Sequence, residues 1–162
     1  MKHNHHIFII FLFLLSSCVS VQLPQSSGKK ADSIEYKAPS TPFKKIDDKT
    51  ADASWNSQKT GNSISFLTDC NNNDTAIEQM KSDTINTLSK LKIIKDETTT
   101  FNNREALVTT AQGELDGIPV QMKVLVFKKN SCSFLLTYVA VKKSFDIELN
   151  IFNNFLEGFK VP

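Results

Sequence analysis

The chain has 162 residues, with 19 basic and 17 acidic side chains and a formal charge of +2 at pH 7. That balance excludes the dense basic stripe that nucleic acid demands, and the length supports one domain with a tail. All three histidines stand at His3, His5 and His6, and Arg104 is the single arginine, so the body of the chain offers no histidine for catalytic triads or zinc and no arginine cluster for phosphate.

Residues 1–17 open with Lys2 and the histidines, continue through the nine apolar residues Ile7–Leu15, and reach Cys18 by way of Ser16-Ser17. A bilayer-spanning helix needs about 20 apolar residues, so this run reads as a signal segment and not an anchor. Leu15-Ser16-Ser17-Cys18 resembles the lipobox of bacterial lipoproteins. The resemblance implies cleavage before Cys18, acylation of its thiol and attachment of the protein to a membrane of the cell envelope. Val19, where an aspartate would imply inner-membrane retention, implies the outer membrane, with the domain facing the periplasm. Residues 18–42 read as the lipidated N-terminus and a flexible tether, with Pro24, Pro39, Pro42 and Ser26-Ser27-Gly28. Such a tether spans about 25–30 Å. Ile34 and Tyr36 alternate with polar residues and form a candidate edge strand, which would start the domain earlier.

From residue 43 to 162 the pattern is that of one α+β domain. Trp55 opens the strongly patterned region, and Thr60-Gly61-Asn62 is a turn. Ser63–Thr68 alternates as a strand. Asn71–Asp74 is a polar loop with Asp74 as a helix N-cap. Ile77, Met80, Thr84, Leu88 and Leu91 recur at helical spacing. Residues 93–101 read as a polar strand near a sheet edge, and Asn102-Asn103 as a tight turn into a strand over 104–115. Asp116-Gly117 is a hairpin signal. Val120, Met122, Val124 and Val126 share one face of the next strand, while Leu125 and Phe127 share the other. The strand Cys132–Val141 is apolar on both faces and must be covered on both. Phe145, Leu149, Phe152, Phe155 or Leu156, and Phe159 supply one cover as a final helix. Ser144 is its candidate cap, and Asp146 and Glu148 suit its N-terminal dipole. The expectation is a three-layer α/β/α sandwich around a mainly antiparallel sheet, one helix per face.

The order of these features resembles the PsbP-like fold shared with DcrB-type lipoproteins. Its carriers are Trp55 before the Thr60-Gly61-Asn62 hairpin, the helix after the next strand, the loop Phe101-Asn102-Asn103-Arg104-Glu105-Ala106, and the aromatic helix Phe145 to Phe159. The resemblance covers about residues 43–162 and implies the fold more than the function.

With Cys18 assigned to lipid, Cys70 and Cys132 remain as an even pair in an oxidising compartment. They form either a disulfide or two buried thiols, and the disulfide is the expectation. Trp55, Arg104 and Glu105 are candidates for contact with a partner or ligand, against a core role for Trp55 and a solvated hairpin end for Arg104-Glu105. Asp69, Asp74, Asp96 and Glu97 fall in separate loops without calcium-loop spacing, so no metal is expected. No catalytic motif and no cofactor motif is matched. The sequence therefore points to a non-catalytic envelope lipoprotein that binds or supports a protein partner. Its alternatives are a small-molecule binding module, which a deep apolar pocket would favour, and a cell-wall enzyme with two carboxylates across a cleft.

Overall fold

Three two-residue turns build the larger half of the sheet. Asn102-Asn103, Asp116-Gly117 and Asn130-Ser131 each hold both residues at positive φ, the backbone geometry that matches the twist of a hairpin. They join β4 (Ser89–Phe101), β5 (Arg104–Leu115), β6 (Ile118–Lys129) and β7 (Cys132–Val141) into a meander. A second unit holds β1 (Phe43–Ile46), β2 (Ala53–Ser57) and β3 (Ser63–Asp69). In the computed structural model, which describes residues 29–71 and 74–162, the two units merge where β3 pairs with β7. The result is one antiparallel sheet in the order β1-β2-β3-β7-β6-β5-β4.

Helices α1 (Ile77–Ile85) and α2 (Phe145–Gly158) cover opposite faces. The alternation of β7 explains why both are needed. Phe134, Leu136, Tyr138 and Ala140 enter the cluster under α2, while Leu135 and Val139 pack on the cluster under α1. β6 divides in the same way, with Leu125 and Phe127 toward α2 and Val120, Met122, Val124 and Val126 toward α1. This is the expected α+β three-layer sandwich.

Helix α1 is shorter than its periodicity predicts. It starts at Ile77 with Ala76 as N-cap, not at Asp74, and ends at Ile85. The chain then winds more tightly, with Thr87 and Leu88 N–H groups donating to the Thr84 and Ile85 carbonyls. Leu88 thereby stays buried beneath the helical face, although it lies outside the helix. Leu91 belongs to β4, which begins four residues before the predicted strand. Entry into β4 passes so close to β5 that a Cβ at Gly113 would stand 2.6 Å from the Ser89 carbonyl oxygen and 2.9 Å from Leu88 Cβ. Gly113→Ala should accordingly cost about 1–3 kcal/mol. Chemical denaturation checks this, and an unchanged midpoint would show that the crossing can move aside.

The register places Asp69 opposite Ser133, so the next residues outward, Cys70 and Cys132, face one another. They form a disulfide with a Cα separation of 4.0 Å across 62 residues of sequence. Cys70→Ser and Cys132→Ser should each destabilise the oxidised protein by about 2–4 kcal/mol, and the double variant should be no worse than either. Urea melts with and without reductant test this. Single variants that melt with the oxidised parent would remove the bond from the stability of the fold.

Packing begins upstream of residue 43. The Ala31 N–H donates to Thr68 Oγ1 at 3.0 Å, and Glu35 and Lys160 exchange two backbone hydrogen bonds. The Tyr36 ring lies 5.1 Å from Phe66 and 5.7 Å from Trp55. The candidate edge strand at Ile34 and Tyr36 is thus a single bridge plus an aromatic contact. The signal segment, Cys18 and the tether up to Gly28 lie outside the described residues, as do Asn72 and Asn73.

Candidate functional site

The buried stripe of α2 is Phe145, Glu148, Phe152 and Phe155, continued by Phe159 just past the helix end, at spacings of three and four residues; all five are buried. It lies over the β2-β3-β7 side of the sheet. Phe152 stacks on Tyr138, Phe155 meets Trp55, and Phe159 meets Phe66. Trp55, only 3% exposed, is therefore part of the core and is not offered to a partner.

A carboxylate in the middle of an aromatic stripe must be hydrogen-bonded. Glu148 receives three bonds: from Ser57 Oγ at 2.8 Å, Thr60 Oγ1 at 2.6 Å and Asn62 Nδ2 at 2.9 Å. Asn62 extends the network to Tyr138 and to the Ser144 carbonyl, while the Ser144 hydroxyl donates to Asn62 Oδ1. The Tyr138 hydroxyl donates to the Phe145 carbonyl. Burial, then the charge of Glu148, pushes the Tyr138 hydroxyl well above its ordinary pKa. Ser144 occupies the N-cap position, yet its hydroxyl caps nothing because Asn62 and the Val141 carbonyl take its proton. This network locks α2 to the β2–β3 turn. Both carboxylate oxygens are engaged, which suits a fixed structural group.

The other flank of α2 is open. β4 is exposed along nearly all of its length. Between its end and the helix runs a groove of about 480 Å³, lined by Phe101, Asn102, Leu125, Asn153, Leu156, Glu157, Phe159 and Lys160. The turn residue Asn102 walls one end. It donates from Nδ2 to the Phe159 carbonyl and accepts at Oδ1 from the Val161 N–H, which binds the C-terminal segment across the sheet. Beyond the other end stands Lys123, two positions from Leu125 on β6 and half-buried. Its Nζ donates to Asn153 Oδ1 at 2.9 Å. Burial first, then the charge of Lys95, pulls its pKa below the ordinary lysine value, with Glu97 acting the other way. Lys95 and Glu97 are already paired with each other.

Arg104 and Glu105 are exposed at the start of β5, opposite Phe101 and Thr100. The structure thus places them at the walled end of the groove, apart from Trp55. Among the described residues no cluster of three or more His, Cys, Asp or Glu side chains could hold a metal. Asp96 is instead held by Lys81 and Thr109, and those bonds keep its carboxyl below the usual range. The sequence reading missed both Glu148 and the groove. Glu148 had a signal: counting the stripe as 145, 148, 152, 155, 159 places a glutamate among phenylalanines.

Comparison with solved structures shows the fold. LpqN, described as involved in cell envelope biogenesis of Mycobacterium tuberculosis, is similar with a TM-score of 0.61 and 10% sequence identity, over 83% of this chain and 86% of that one. The cyanobacterial PsbP (CyanoP) from Synechocystis sp. PCC 6803 is similar with a TM-score of 0.57 and 12% identity, over 91% of this chain and 99% of that one. The architecture is PsbP-like. No family model matches the chain, and no curated protein matches it.

Proposed function

We propose that this chain is a non-catalytic envelope lipoprotein, anchored through acylated Cys18 to the outer membrane and facing the periplasm. Its domain acts there by binding a protein partner. The observation that carries this reading is the Cys70–Cys132 disulfide, a bond that persists in oxidising compartments such as the envelope. The Lys29 carbonyl accepts the Cys70 N–H at 2.8 Å, so the chain is pinned at the disulfide end of the sheet. The likeness to an envelope-biogenesis protein supports the compartment. Among the described residues no helix is long and apolar enough to cross a membrane, so attachment in this reading falls to the lipid. The alternative of a cell-wall enzyme has less support, since paired-carboxylate hydrolysis needs two such groups across a cleft and the groove wall offers Glu157.

Two measurements test the proposal. Cys18→Ser should abolish incorporation of labelled palmitate and release the protein from the membrane fraction; continued incorporation sinks the anchor. Photo-crosslinkers at Arg104 and Glu105 in intact cells should each capture one stoichiometric envelope protein, and a crosslinker at Lys49 should not. Absence of any product from Arg104 and Glu105 would remove the turn between β4 and β5 as the partner surface.

A further inference from the structure

We infer that the groove beside α2 binds a single-chain amphiphile with one anionic head group, the chain lying over Phe101 and Leu156 and the head meeting Lys123. This goes beyond the envelope reading and does not depend on it.

Three observations converge. First, the groove has the volume of small-ligand sites, which run from about 300 to 1,000 Å³, and its apolar lining is Phe101 and Leu156, both partly exposed, with Leu125 and Phe159 buried behind them. Polar residues stand at its rim. Second, one end is bounded by the β4–β5 turn. Asn102 there bonds both the Phe159 carbonyl and the Val161 N–H, which fixes the C-terminal segment beside the groove. A continuous peptide has two ends to accommodate, whereas an alkyl chain has a terminus that can stop there. Third, the charges select the sign of the head group. On the groove wall Glu157 and Lys160 offset each other, and on the neighbouring strand Lys95 is paired with Glu97. Lys123 is left over. Its partner is the neutral amide of Asn153, itself a groove residue. A half-buried ammonium held by an amide gains more from an arriving anion than an exposed one does, because it is already partly stripped of water.

The same chemistry arises from a free fatty acid or from a lysophospholipid. Both are added below their micelle concentrations to the isotope-labelled full chain carrying Cys18→Ser, which removes any acyl group at that position. Dodecanol serves as the neutral control. Amide NMR shifts report the site. Laurate, lysophosphatidylglycerol or both should produce saturable shifts at Leu125, Asn153 and Leu156. Lys123→Met, which keeps the aliphatic stem, should weaken that binding about tenfold, and Lys123→Arg should restore it. Laurate alone would identify a fatty-acid carboxylate, and the lysolipid alone a phosphate head group; either supports the site. The inference is overturned if neither anion shifts the groove amides, if dodecanol binds as tightly as the anions, or if Lys123→Met binds like the parent. Loss of binding in Leu156→Asp with an unchanged thermal midpoint places the chain in the groove. A Leu156→Asp protein that still binds places it elsewhere and overturns the site. None of these results depends on whether Cys18 is lipidated or a protein partner exists.

Discussion

Glu148→Ala is expected to lower the unfolding free energy by about 3–5 kcal/mol, a large share of what holds a domain of this size together. The substitution removes the acceptor of the Ser57 and Thr60 hydroxyls and one of the three acceptors of Asn62 Nδ2, which keeps Tyr138 and the Ser144 carbonyl. Each buried donor left unmet costs about 1–3 kcal/mol, reduced where a hydroxyl can turn to another acceptor. Glu148→Gln keeps one acceptor oxygen but directs an amide N–H₂ at groups that are themselves donors. It should fall between parent and alanine variant. Urea denaturation of the three proteins gives the ranking. An alanine variant that melts with the parent would show that the β2–β3 turn is held to α2 by packing alone.

Phe152→Ala is expected to cost a similar amount, about 3–5 kcal/mol, by a different route. Its ring is fully buried, 5.6 Å from Tyr138 and 6.4 Å from Phe155. Removing it opens a cavity that its neighbours on the sheet cannot close. Ile147, on the same helix but 58% exposed, supplies the control: Ile147→Ala should change stability by less than about 0.5 kcal/mol. Equal losses at the two positions would contradict the orientation of α2.

Most of the meander could be read from the residues because its signals are local. Turn dipeptides mark Asn102-Asn103 and Asp116-Gly117, and the two-sided apolar pattern of Cys132–Val141 marks a central strand. β1 carried no comparable signal. Only Phe43 of its four residues is buried, and Lys44 and Lys45 face water, as suits an edge. The end of α1 was misplaced because Leu88 keeps the helical period after the helix has stopped. The disulfide followed from cysteine count and compartment, and then from strand adjacency. The groove had no signature at all. It joins the end of β4, the middle of β6 and the last turns of α2, and Lys123 reads along its strand as one more solvent-facing lysine. Only the folded structure sets that lysine against Asn153 of α2, a residue that also lines the groove.

The strand order has a consequence for how the molecule assembles. β7, the last strand in the chain, is the one that touches both halves of the sheet. Without β7, strands β1 to β6 fall into two groups, β1-β2-β3 and β6-β5-β4, that share no strand pairing. Native pairing of the whole cannot begin until the final strand and the aromatic helix behind it are available. The local hairpins on either side can form early, but the non-local seam between β3 and β7 must wait, and such seams are slow to form. Commitment to the whole fold thus waits on residues 132–141, and loss of that one strand would leave the two halves of the sheet without a seam.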